Sequence, residues 1–243
     1  MANRGDAGMP DEGSETFFES LSDLLIGVIF IFIIILMSFA LNMRVAQDRS
    51  AKIEKKLSDA GELRGRLLRA IEAGMQKKKF PISIDQKLGI VRLPEDLLFA
   101  SGSADLGKRG QRALAVLAGI MAQSLPCYSS GVRRSRSRCP RDSHPIFDVV
   151  LIEGHTDSVP VHGEFNNNWE LSAARSQRTY QALVKAASEL KKVKNVNAQS
   201  LLSISAYADT RPPPGYRSKA EVKRHSRRID IRFVIGTPRL GQN

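Results

Sequence analysis

The chain has 243 residues, 42% of them hydrophobic and 26% charged, with a formal net charge of +12, enough for one folded domain and an added element. The basic excess suggests nucleic acid. However, the lysines and arginines are scattered, aromatic residues are few, and no zinc-finger or RNA-binding aromatic signature is present, so nucleic acid is excluded as a partner. A basic domain facing another anionic polymer explains the charge equally well.

Residues 1–16 are rich in glycine and acids without a hydrophobic period and are expected to form a flexible acidic tail. Residues 24–37 read LLIGVIFIFIIILM without a charge, and Ser38, Phe39, Ala40 and Leu41 extend the run to the length that crosses ~30 Å of hydrocarbon. A transmembrane helix is therefore predicted over 17–43. A cleaved signal peptide does not fit. The preceding segment sets Arg4 against Asp6, Asp11, Glu12, Glu15, Glu19 and Asp23, the reverse of a basic n-region, and no small-residue cleavage site follows.

Asp23 stands at the edge of this run. An ionised carboxylate at bilayer depth costs at least ~2.5–3.5 kcal/mol unless it faces protein, water or a bound cation. A lone membrane aspartate is thus a natural site for reversible protonation or ion binding, and Ser20 and Ser22 could supply oxygen beside it. The alternative is an interfacial acid favoured by the helix dipole.

Residues 44–79 form a charged linker in which Ile53, Leu57, Ala60, Leu67, Leu68, Ile71 and Met75 recur at spacings near three and four, the mark of an amphipathic helix. Gly61, Gly65 and Gly74 weaken it. The narrow stripe is expected to pair with a sister copy near the membrane or to serve as a solvated spacer.

From residue 80 to 236 the pattern changes to short strands (89–93, 147–153, 202–207, 229–235) and helices (108–124, 171–190, 219–224). The expected class is α+β, with a four-stranded sheet and packed helices. An insertion over 125–145, including the run RRSRSR, reads as an exposed loop. It is bounded by Cys127 and Cys139, whose count permits one disulfide suited to an oxidising compartment, or two plain thiols. A short tail occupies 237–243.

The stretch 152–178 reads IEGHTDSVPVHGEFNNNWELSAARSQR, a strand leading through a loop into a helix. Its G-H-T-D (Gly154, His155, Thr156, Asp157) and N-x-x-L-S-x-x-R (Asn168, Leu171, Ser172, Arg175) are followed by R-R-I-D-I at 227–231. With F-x-x-G-S-x-x-L from Phe99 to Leu106, they closely resemble the OmpA-like peptidoglycan-binding family over roughly 84–234. Diaminopimelate in a wall stem peptide presents an ammonium and a carboxylate on one short side chain. The resemblance implies that Asp157 accepts the ammonium, Arg175 forks onto the carboxylate, Asn168 and Thr156 shape the pocket, and Arg228 lies near the site.

Read alone, Asp157 could be an ordinary loop acid and Asn168 a helix cap. His155, Asp157 and His162 lack a convincing metal-ligand set. No nucleophile, base and orienter signature is present, so a binding module is expected, not an enzyme, and no cofactor.

A membrane helix with an aspartate at its start, a linker and an OmpA-like domain form the plan of MotB-type stator subunits. Within that group the N-terminal run is most similar to the ZorB family of Zorya anti-phage defence. The resemblance implies a multi-span ZorA- or MotA-like partner, two copies of this chain, and a transported cation, proton or sodium, at Asp23. It also implies a single-pass bacterial inner-membrane location with a cytoplasmic N-terminus and a periplasmic C-terminal domain. The flanking charges oppose the positive-inside rule, but large domains translocate largely regardless of charge. A flagellar-type stator and a passive tether between membrane and wall are the alternatives.

Overall fold

The computed structural model describes residues 12–130 and 139–237, with side chains from residue 21 onward. Residues 1–11 of the expected tail, the RRSRSR run and residues 238–243 lie outside the described residues. The chain falls into two compact units, Met1–Glu54 and Lys55–Asn243.

In the first unit, α1 (Glu12–Lys77) begins, so residues 12–16 are helical where a tail is expected. Among the described residues this is the one helix long and apolar enough to cross a membrane. Its large apolar side chains from Leu21 to Val45 are between 47% and 66% exposed. None of the described residues covers this surface, and water is a poor solvent for it.

The second unit is α+β. A five-stranded sheet has the order β1-β2-β5-β3-β4, built from β1 (Ser83–Asp85), β2 (Ile90–Pro94), β3 (Phe147–His155), β4 (Leu202–Ala206) and β5 (Arg228–Ile235). Only β3 and β4 are parallel; the other pairings are antiparallel. The helices are α2 (Glu95–Leu98), α3 (Lys108–Ser124), α4 (Asn168–Ala186) and α5 (Lys219–Ser226). The expected four strands are therefore five: β1 has only three residues, too few to show an alternating pattern.

Period-two alternation fixes the two faces of β5. Ile229, Ile231 and Phe233 enter the hydrophobic core, while Arg228, Asp230 and Arg232 take the opposite face. The α3 stripe of Ala113, Leu114, Leu117, Ala118 and Met121 is buried at helical spacing.

The C-terminal part of α1 belongs to this core. Ala60, Leu67, Leu68, Ile71 and Met75 are buried together with Val91, Leu93, Leu114 and Phe233. The stripe is thus neither free for a sister copy nor a solvated spacer from residue 60 onward, and the compact unit begins at Lys55, not at residue 80. One of the three glycines read as a helix weakness faces α3: a Cβ on Gly74 would lie 2.5 Å from the Ile120 side chain, which would have to turn aside.

The insertion is also partly core. Leu125, Cys127 and Tyr128 are buried in a short 3-10 turn, Tyr128 packs edge-on against Phe147 with ring centroids 6.3 Å apart, and Cys127 is bonded to Cys139.

Candidate functional site

The site lies where β3 ends and α4 begins. The close approach of these elements depends on Gly154, since a Cβ there would meet the Ser172 carbonyl oxygen at 2.0 Å. Ser172 then ties the helix to the turn after β4: its hydroxyl accepts from the Ala208 amide at 3.2 Å, and the Ala208 carbonyl accepts from the Thr156 amide at 2.8 Å.

Asp157 lies two residues beyond the end of β3. One carboxylate oxygen accepts from the Val159 amide at 3.1 Å, a local turn typical of aspartate, and the other accepts from Arg227 at 2.7 Å. Asn168 clamps the same turn from α4, its side-chain amide donating to the carbonyls of Asp157 and Val159 at 3.1 and 3.0 Å. The helix cap is Asn167, not Asn168: the Asn167 side chain accepts from the Glu170 amide. Asn168 is thereby left to position the loop.

Arg175 lies seven residues further along α4, on the face that carries Asn168. Its side chain is 1% exposed and pairs with Glu95. Nε donates to the Ser103 carbonyl at 2.8 Å, Nη2 reaches the Ala100 carbonyl at 3.4 Å, and the guanidinium stands over the Phe99 ring. The F-x-x-G-S segment therefore wraps Arg175, with Gly102 in the left-handed region at φ +70°, where glycine is unstrained. Burial pulls the Arg175 guanidinium below its ordinary pKa, with Glu95 opposing.

Two residues absent from the expected set complete the array. Arg227 reaches Glu95 Oε2 at 2.6 Å and Asp157 Oδ2 at 2.7 Å, so the four charges form one chain, Arg175, Glu95, Arg227 and Asp157. The bond to Asp157 pushes the Arg227 pKa up, against its own burial. Glu95 opens the four-residue α2, and nothing in its sequence context marks it. Arg227 was legible as the first arginine of R-R-I-D-I.

Arg228 does not join this chain of charges. It is buried, with Nε on Asp230 Oδ2 at 3.0 Å and Nη2 on the Arg211 carbonyl at 3.1 Å, so it braces the sheet face and the 211 turn. Thr156 is 3% exposed, and its hydroxyl has no hydrogen-bond partner among the described residues. Beside the array opens a cavity of about 460 Å³ lined by Glu95, Arg227, Arg228, Arg92, Tyr216 and His225, among others.

His155 and Asp157, read together in the sequence, point to different groups. His155 lies with Glu153 and Asp230, and ligand atoms of the three fall within 4.8 Å of one another. Arg232 holds both Glu153 oxygens at 2.8 and 2.9 Å, and Arg228 holds Asp230. These carboxylates are already neutralised by guanidinium groups, an arrangement unfavourable to a metal cation.

In the other unit, Asp23 lies within α1 immediately before the uncharged run and is exposed in the single chain.

No protein-family model and no curated protein matches the chain. Solved structures similar to it include the cell wall anchor of the type VI secretion system (T6SS) from Pseudomonas aeruginosa, at 22% identity and a TM-score of 0.49 over 71% of this chain and 99% of that one. A putative MotB-like protein from Desulfovibrio vulgaris is similar at 20% identity and a TM-score of 0.49, over 76% and 96% respectively. The periplasmic domain of Helicobacter pylori MotB is similar at 23% identity and a TM-score of 0.41, over 60% and 75%.

Proposed function

We propose that this chain is a peptidoglycan-anchored, single-pass subunit of an ion-driven rotary motor in the bacterial inner membrane, with its N-terminus in the cytoplasm and its C-terminal unit in the periplasm. The observation that carries the anchoring role is the array of Asp157, Arg227, Glu95 and Arg175 at the end of β3. It places carboxylates and guanidinium groups within one side chain of each other, beside an open cavity. That is the complement of a diaminopimelate stem peptide, which carries both charges on one short chain. Thr156 adds a buried hydroxyl that has no hydrogen-bond partner among the described residues.

The motor role rests on Asp23 and the run that follows it. Two copies, within a ring of a ZorA- or MotA-like multi-span partner, would give that carboxylate a protein environment in which to take up and release a proton or sodium ion. The N-terminal pattern favours a role in anti-phage defence.

Two experiments test these roles. The full chain in detergent should be retained by purified sacculi, and Asp157→Ala should release it; equal retention would refute the anchoring role. Reconstituted with its ring partner, Asp23→Asn should abolish ion current. A complex that conducts normally with that change would reduce the chain to a passive tether.

A further inference from the structure

Glu95 and Asp157 are held together by a cation that the chain itself supplies. Their side chains are 9% and 8% exposed, whereas that of Arg227, which joins them, is 37% exposed. Two carboxylates so placed repel unless a positive charge sits between them. The group that now sits there belongs to a long, flexible side chain at the margin of a cavity of about 460 Å³.

We infer that the free protein occupies its own cation subsite. Arg227 stands where the ligand ammonium will go, and binding proceeds by exchange. This inference rests on the anchoring role proposed above and adds Glu95 as the second carboxylate of the subsite. As the ammonium settles between Glu95 and Asp157, Arg227 turns into the cavity and takes the ligand carboxylate.

Charge balance supports the exchange. Before binding, the four groups alternate in sign and sum to zero. After binding, Arg175 still faces Glu95, the ammonium faces Glu95 and Asp157, and Arg227 faces the ligand carboxylate, so no charge is left unpaired. A diamine would displace Arg227 without offering it a partner, and a dicarboxylate would offer nothing to the two acids. The exchange therefore selects a zwitterionic side chain, and leaving charged groups unpaired is what rejects the others.

The test is calorimetric titration of the full chain in detergent with meso-diaminopimelate, cadaverine and pimelate. The wild type should prefer diaminopimelate. In Arg227→Gln, where nothing needs displacing, cadaverine should bind about tenfold more tightly, and the preference of diaminopimelate over cadaverine should collapse. Arg227→Lys, which retains a cation, should keep that preference. Glu95→Gln should weaken diaminopimelate by about tenfold, the scale of one charged hydrogen bond.

An unchanged ratio in Arg227→Gln, or full affinity in Glu95→Gln, would overturn the exchange. If Asp157→Ala still releases the chain from sacculi while either result holds, the exchange alone fails and the anchoring role stands. A wild type that binds neither sacculi nor diaminopimelate overturns both.

Discussion

The backbone of Ser172 on α4 crosses Gly154 on β3 so closely that the smallest side chain, placed at Gly154, would lie 2.0 Å from the Ser172 carbonyl oxygen. The obstacle is backbone and cannot rotate away. Gly154→Ala must therefore push α4 off the sheet, at a cost of about 3 kcal/mol. Since Asn168 and Arg175 ride on that helix, binding to sacculi should fall as well. Chemical denaturation of the full chain, followed by the fluorescence of Trp169, its single tryptophan, measures the first effect. A wild-type midpoint would show that α4 does not need this approach.

The sheet face opposite the helices predicts an acid response. Glu153 is 1% exposed. Burial pushes its carboxyl pKa up, but the two hydrogen bonds from Arg232 and the His155 ring 3.8 Å away together pull it down by more, leaving it below the ordinary range. A carboxylate depressed in the folded state contributes stability above its unfolded pKa of about 4.3, and that contribution is lost as pH falls through the folded value. Glu153→Gln should be about 3 kcal/mol less stable near neutrality, since it leaves Arg232 without its buried partner. The gap should narrow as pH drops from about 6 toward 3. Parallel wild-type and variant curves over that window would refute the assignment.

The bridge between Cys127 and Cys139 closes a loop at a sequence separation of 12. Holding so short a loop closed restricts the unfolded chain by about 2–3 kcal/mol. Cys127→Ala removes a buried group as well, whereas Cys139→Ala alters a residue that is only partly buried. Both should lower the denaturation midpoint, Cys127→Ala by more. Adding reductant should move the wild type toward the Cys139→Ala value and leave both variants where they are.

What was legible in the sequence followed from pattern length. The apolar run, the α3 stripe and the alternation in β5 each repeat often enough to declare a period. Motif spacing placed Asp157, Asn168 and Arg175 around one junction. The charge array was not legible, because Glu95 and Arg175 are 80 residues apart and the pairing exists only once β2, α2 and α4 have packed. Arg228 drew attention because it shares the motif with Arg227. The strand parity that turns it toward Asp230 depends on where β5 begins, and sequence patterns fix boundaries less firmly than elements.

The α1 stripe was misplaced for a related reason, and its energetics can be measured. Periodicity shows that one helix face is apolar but not what covers it. Ile71 is fully buried, whereas Leu57, on the same stripe, is 43% exposed. Ile71→Ala should cost about 2–5 kcal/mol, the range for emptying a packed core site. Leu57→Ala should stay within about 0.5 kcal/mol, as surface changes do. If the stripe instead held two copies together, Leu57 would matter too, and the midpoints would rise with protein concentration, because association stabilises by mass action. Denaturation midpoints of both variants over a hundredfold range of concentration separate the cases: a large loss for Ile71→Ala alone, constant throughout, assigns residues 60–75 to the fold of their own domain.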